Sequence, residues 1–276
     1  MGATAQQHLD FAFLDDLARA AARKRLDPVP YIDSAIITRL GPALELLTLL
    51  RGNAFPGGRI NGEIGAALRT ALEQKPGRRA AYINTADEYA GFITAARNPG
   101  DDERLEWIAF CLEARKAAGR SLPDSVARGM VGAMREMENN VYEHSGRHED
   151  AVVAFRGTSE DFEFVVADSG IGILNSLHQS PDYQHLRDPG TAIKMALSDG
   201  QSRCRYIDPA RGLGFHDLFV GLANLNGELR FRSDDHALTI DGASPSLMKA
   251  QLSQKVQLQG FVASVVCRLR PTSTAH

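Results

Sequence analysis

Three short stretches of this chain carry groups whose types and spacing could act on one ligand. In MREMENNVYEHSG, Glu136, Asn140 and His144 fall at i, i+4 and i+8, so a helix would line them along a single stripe, opposite most of its methionines. Such a stripe presents a carboxylate and a carboxamide together, although a charged helix stripe is by itself most often only a solvated face. In Asp168-Ser169-Gly170-Ile171-Gly172, an acid and two glycines close a strongly apolar run. The glycines let backbone approach a ligand closely, and an Asp at a strand end can accept hydrogen bonds from an amino group. The stretch is no dinucleotide fingerprint, because Asn175 stands where the third glycine would be and no βαβ unit surrounds it. In Arg211-Gly212-Leu213-Gly214-Phe215, glycines precede a helical pattern. Free N–H groups and the positive end of the helix dipole make such a place suited to phosphate.

These stretches need elements to hold them, and the pattern around them supplies a consistent set. From Leu122 to His144, apolar residues at Val126, Met130, Met134, Met137 and Val141 predict one long amphipathic helix, with Pro123 in its first turn and Gly146 as its stop. AVVAF from Ala151 and FEFVVAD from Phe162 predict adjacent strands joined by the polar turn RGTSED. The second of these ends at Asp168. A long polar connection then runs from Leu174 to Ala210, holding the helix PGTAIKMAL with Asp188 as its cap and Pro189 at its first position. The helix HDLFVGLANLNG and the strands ELRFRS, HALTID and GFVASVVCRL complete the order. This order predicts an α/β sandwich, a mixed sheet with helices on one face, over residues 122–276.

Residues 1–121 read differently. Helical periodicity recurs over Leu9 to Lys24, Ile36 to Leu50, Ile64 to Leu72 and Leu105 to Ala117, with breaks at PGGR, KPGRR and NPGDD and a single short strand, AAYIN. They are expected to form a mainly helical regulatory or dimerisation region. PYIDSAIITRLGPALELLTLL is also similar to the strand-then-helix stretch of STAS-type domains, although the run before it is a poor strand. The chain has 276 residues and a net charge of −3, and neither part is basic: 16 Lys and Arg face 15 Asp and Glu before residue 122, and 15 face 19 after it. That lacks the positive field of a nucleic-acid binder. Cys111, Cys204 and Cys267 are too scattered for a disulfide framework or a CxxC zinc site. No basic-then-apolar leader opens the sequence, and the most apolar segment is interrupted by Arg39, Pro42 and Glu45. A cytoplasmic protein that is neither secreted nor membrane-bound is expected.

Taken together and in order, the three stretches resemble the GHKL superfamily, whose Bergerat ATP-binding fold is shared by gyrases, histidine kinases, mismatch-repair ATPases and anti-sigma-factor kinases. The resemblance covers residues 122 to 270. Glu136 and Asn140 match the E-x-x-x-N box, Asp168, Gly170 and Gly172 the D-x-G-x-G box, and Gly212 and Gly214 the G-x-G box after the ATP lid. Gly260 stands in the last glycine box but is followed by Phe261 rather than a threonine. The resemblance implies that Asp168 receives the adenine amino group, that Asn140 ligates Mg²⁺, and that the glycines wrap the phosphates. It implies Glu136 as general base, the segment from Leu174 to Ala210 as lid, and Arg203, Arg205 and Arg211 as lid residues able to meet the γ-phosphate. His144 is expected as a supporting partner or a helix C-terminal cap. His8 lacks the flanks of a phosphoacceptor histidine. The implied function is Mg²⁺-dependent ATP binding with slow ATPase or protein kinase activity in signalling, directed at a protein partner, with a homodimer among the arrangements left open. The alternative is a nucleotide-gated interaction module without turnover.

Overall fold

The structure, a computed structural model, describes residues 7–73, 79–95, 101–146, 151–198, 218, 219, 222 and 225–269. Its centre is a six-stranded sheet of order β1-β2-β3-β4-β6-β5. The strands are β1 (Ala81–Asn84), β2 (Tyr89–Thr94), β3 (Val152–Gly157), β4 (Phe162–Asp168), β5 (Asn226–Ala243) and β6 (Gln251–Arg268). Every neighbouring pair is antiparallel, so the expected mixed sheet is not formed. The physical reason is in the connections: β1 to β2 and β3 to β4 are short turns, and short turns can join only antiparallel strands.

Helices cover both faces of the sheet rather than one. On one side lie α1 (Phe11–Ala22), α2 (Val29–Ser34), α3 (Leu40–Arg51) and α4 (Gly62–Glu73), and on the other α5 (Asp101–Ala118), α6 (Asp124–His144) and α8 (Pro189–Leu197), with the short α7 (Gly172–Leu177) between β4 and α8. The strands alternate between the two layers: Phe162, Phe164 and Val166 of β4 enter the core shared with α5 and α6, whereas Val165 and Ala167 enter the core shared with the first helices. Burial on both faces explains why FEFVVAD reads as a continuous apolar run, all seven residues being buried. It also means that the division at 121/122 does not separate two sheets. β2 pairs with β3 from Tyr89↔Gly157 to Thr94↔Val152, so residues before the division extend the sheet formed after it.

Local chemistry accounts for most boundaries. Asp10 caps α1 by accepting from Phe13 N–H at 2.8 Å, and Asp188 caps α8 by accepting from Thr191 N–H at 2.6 Å. The strand of the STAS-like reading is absent. Residues 29–34 form α2, begun by Pro28 and Pro30 with their fixed φ, and Ile36 makes only an isolated parallel bridge to His8. ELRFRS and HALTID are one strand, β5, interrupted by register shifts between Ser233 and His236, where Asp234 adopts φ +51°. Beyond this bulge the β5–β6 hairpin doubles back. Ser244 N–H donates to the Leu225 carbonyl at 2.9 Å, and Leu238 and Ile240 join Leu229 and Phe231 in the same core.

The first helical layer is tied to the sheet by charge. Glu45 of α3, 1% exposed, receives Arg230 Nε at 2.8 Å and Arg232 Nε at 3.1 Å from β5. Asp15 of α1 receives Arg230 Nη2 at 2.7 Å and pairs with Lys255 of β6 at 2.6 Å. Glu163 of β4, wholly buried, accepts from the N–H groups of Leu40 and Gly41 at 3.1 and 2.8 Å, and so caps α3 from within the sheet. Among the described residues no helix is long and apolar enough to cross a membrane.

Candidate functional site

The candidate site forms where β4 ends. Asp168 is its last residue, 3% exposed, opposite Phe261 in the β4–β6 ladder. Its Oδ1 accepts from Gly170 N–H at 2.7 Å, which bends the chain out of the sheet. Burial raises its pKa to about 7, more than the Gly170 hydrogen bond lowers it. Beside it, Ser169 is buried and its Oγ has no hydrogen-bond partner among the described residues.

The turn after Asp168 seats directly on the C-terminal end of α6. Ile171 N–H donates to the Ser145 carbonyl at 2.9 Å, and a Cβ on Gly170 would overlap that same carbonyl. Only glycine permits this approach, so the acid-and-glycine stretch and the helix that bears Glu136 and Asn140 meet because of Gly170. At 1.5 Å per residue, Asn140 lies about 7 Å along the helix axis from this contact and Glu136 about one turn further. Both are half-buried, as is His144, which sits in the last turn of α6, where a basic residue suits the helix dipole. The stripe borders the buried face of α6 rather than lying opposite its methionines: Met130, Met134 and Met137 are buried, as is Glu138.

A second glycine contact closes the site from β6. Gly260 has φ +95°, and a Cβ there would overlap the Asp168 carbonyl. Gly260 is also held from β5: Ser233 donates from Oγ to the Gly260 carbonyl at 2.9 Å. The same Oγ accepts from Ile173 N–H at 3.0 Å, and the Asp234 carboxylate meets the backbone of Leu174. Ser233 and Asp234 therefore cap the first turn of α7, which begins at Gly172 with φ +76°. Burial raises the Asp234 pKa, against lowering by the Ser233 and Gln257 hydrogen bonds. Neither residue was marked by the sequence reading. Their partners lie about 60 residues away in the chain and are joined only by the bulge in β5.

The segment around Asp168 thus uses its own backbone donors internally: Gly170 on Asp168, Ile171 on Ser145, Ile173 on Ser233. It offers a buried carboxylate and a close-packed floor rather than a nest of N–H groups for an anion. Arg203, Arg205, Arg211, Gly212 and Gly214, which were expected to meet the phosphates, all lie outside the described residues. The connection expected as a lid is in its described part well anchored. α7, α8 and the turn between them pack Leu177, Leu186 and Ala192 into a small core, and Ile193 and Leu197 join the main one. Among the described residues, no three His, Cys, Asp or Glu side chains gather in a metal-binding group. A comparison with protein-family models and with curated proteins finds no match for this chain.

Proposed function

We propose that the chain is a Mg²⁺-dependent adenine-nucleotide-binding protein of the Bergerat type, acting as a slow ATPase or protein kinase in signalling. The observation that carries the reading is the meeting of Asp168, buried at a strand end, with a glycine turn that rests on the helix bearing Asn140 and Glu136. A carboxylate held out of water discriminates strongly for a ligand amino group, because a ligand lacking that donor leaves the acid unpaired. The Ser169 hydroxyl, buried and without a hydrogen-bond partner among the described residues, adds a second polar group beside the acid.

In this reading Asp168 receives the exocyclic amine of adenine, and Asn140 would hold Mg²⁺ through its amide oxygen, the ion supplying charge to offset that of the phosphates. Gly212, Gly214 and the arginines at 203 and 211 hold the phosphates. ATP, when bound, supplies a γ-phosphoryl group activated for transfer to water or to a protein hydroxyl. Glu136 takes the proton of the attacking hydroxyl, a role worth about a hundred- to ten-thousand-fold in rate.

Calorimetric titration tests this reading. Wild type should bind ATP more tightly with Mg²⁺ than without and should bind GTP poorly. Asp168→Asn should weaken ATP about ten- to a hundredfold or more, in line with about 1–3 kcal/mol for an unpaired buried group. Glu136→Ala should keep binding and lose turnover, whereas Asn140→Ala should lose the Mg²⁺ dependence. Equal ATP affinity in wild type and Asp168→Asn defeats the pocket assignment.

A second reading, a nucleotide-gated interaction module, draws on the neighbouring residues Arg232 and Ser233 of β5. The first binds Glu45 in the N-terminal layer, and the second contacts the turn at the site. Tight ATP binding without turnover, alone or with a protein partner, selects this reading.

A further inference from the structure

Among the described residues, most large apolar side chains left exposed are isolated, but Leu105, Ile108 and Leu112 lie on one helix, α5, and are 63%, 54% and 54% exposed. Their spacing, i, i+3 and i+7, places them on one narrow seam. The seam faces away from the core, which takes Phe110, Ala114, Ala117 and Ala118 from the other side of the same helix. A helix needs only one apolar face to pack on its own sheet, and a second, opposite face marks an interaction site.

We propose that this face of α5 is the contact surface of a homodimer, in which the α5 helices of two copies lie antiparallel across a two-fold axis near Ile108. The apolar seam is nearly symmetric about Ile108, with Leu105 one helical turn before it and Leu112 one turn after, as a self-complementary two-fold contact needs. The charges flanking it are unequal along the axis. Asp102 stands exposed near the start, and Lys116 stands exposed in the last turn, whereas Arg115 is engaged by Asp124. An antiparallel pair sets Asp102 of each copy near Lys116 of the other and opposes the two helix dipoles. Lys116 also pairs with Glu113 at 2.5 Å, which holds the ammonium on the helix surface at this end. No residue of the candidate nucleotide site is used, so this inference stands or falls apart from the proposed function.

Sedimentation equilibrium of the full-length chain across micromolar concentrations is the direct test. Wild type is expected to dimerise, and Ile108→Glu, which places a carboxylate near the axis in both copies, should weaken the dimer by about a hundredfold or more. Its thermal melt as a monomer should match wild type measured at a dilution where wild type is monomeric, because residue 108 is already exposed. Orientation is tested by charge exchange. Asp102→Lys should weaken the dimer several-fold, and adding Lys116→Asp should restore it. A wild type that stays monomeric throughout, or a dimer that Ile108→Glu leaves intact, overturns the proposal. Failure of the double exchange to restore what Asp102→Lys loses overturns the antiparallel arrangement.

Discussion

The two layers flanking the sheet are built on different physics. The layer of α5, α6 and α8 is joined by methionine, leucine and aromatic packing: Phe155 touches Phe110 at a ring distance of 5.0 Å, and Trp107 stacks on Phe110 at 5.6 Å. The layer of α1 and α3 has leucines too, but buried carboxylates and guanidinium groups fix its position. Burial works to lower the Arg230 pKa, yet Glu45 and Asp15 together hold it above the usual value. Arg232, which meets Glu45 but is further from Asp15, is held below it by burial. Apolar packing tolerates small rotations, whereas an ion pair out of water is satisfied in one register only. The candidate site lies at an edge of the apolar layer, where glycines rather than charges set the close approach.

The largest expected difference between the layers comes from Glu45→Ala. Removing this acid leaves two buried guanidinium groups short of compensation, with an expected loss of about 3–5 kcal/mol in denaturant unfolding. Phe155→Ala should cost a similar amount, about 3–5 kcal/mol, by leaving a cavity. The two separate when the partners are also changed. Replacing Glu45, Arg230 and Arg232 together by apolar residues of like volume should recover most of the loss. If the triple replacement is as unstable as Glu45→Ala, the loss in Glu45→Ala is not the cost of uncompensated buried charge.

A smaller effect, of opposite sign, is expected at the site. The raised pKa of Asp168 means that its contribution to stability is fully present below about pH 4 and is lost as pH rises through about 7. Asp168→Asn keeps an oxygen for Gly170 N–H and removes the buried charge. The nucleotide-free variant should therefore match wild type near pH 4 and exceed it at pH 8 by on the order of 1–3 kcal/mol. Thermal melts across that range measure the difference, and a parallel pH dependence in both proteins would show that Asp168 ionises freely. Smallest of all should be the contrast between the helix caps. Asp10→Ala in one layer and Asp188→Ala in the other should each cost about 1 kcal/mol, because an exposed N-cap acts on its own helix whatever that helix packs against. Equilibrium denaturation of the two variants side by side checks this.

These differences explain what could be read in advance. β3, β4, α6 and α8 were legible because period and cap lie in the local sequence: Asp188-Pro189 opens α8, and seven buried residues make β4 a continuous apolar word. Asp168, Gly170, Asn140 and Glu136 were legible as a spaced set, and the structure brings Gly170 and Asp168 to the end of the helix that carries the other two. Sheet direction and the second helical layer were not, because they follow from pairings between distant segments. Glu163 looks like a polar residue in a strand until α3 arrives to be capped. Ser233 and Asp234 look like a polar turn between strands, and only the doubled-back hairpin makes them the support of α7. β2 went unread because YAGFIT follows a polar stretch, and its glycine is needed where Phe155 lies across it.

The ion pair between Glu45 and Arg230 joins residues 185 positions apart. At a synthesis rate of roughly 5–20 residues per second, α3 leaves the ribosome some 10–40 s before the arginines that will neutralise its acid. Its leucines can collapse early, but its final seat on the sheet cannot be taken until β5 and β6 exist. α3 is thus made early but is among the last elements to reach its native position, and a chain truncated before residue 230 lacks the arginines that its acid must meet before it can be buried.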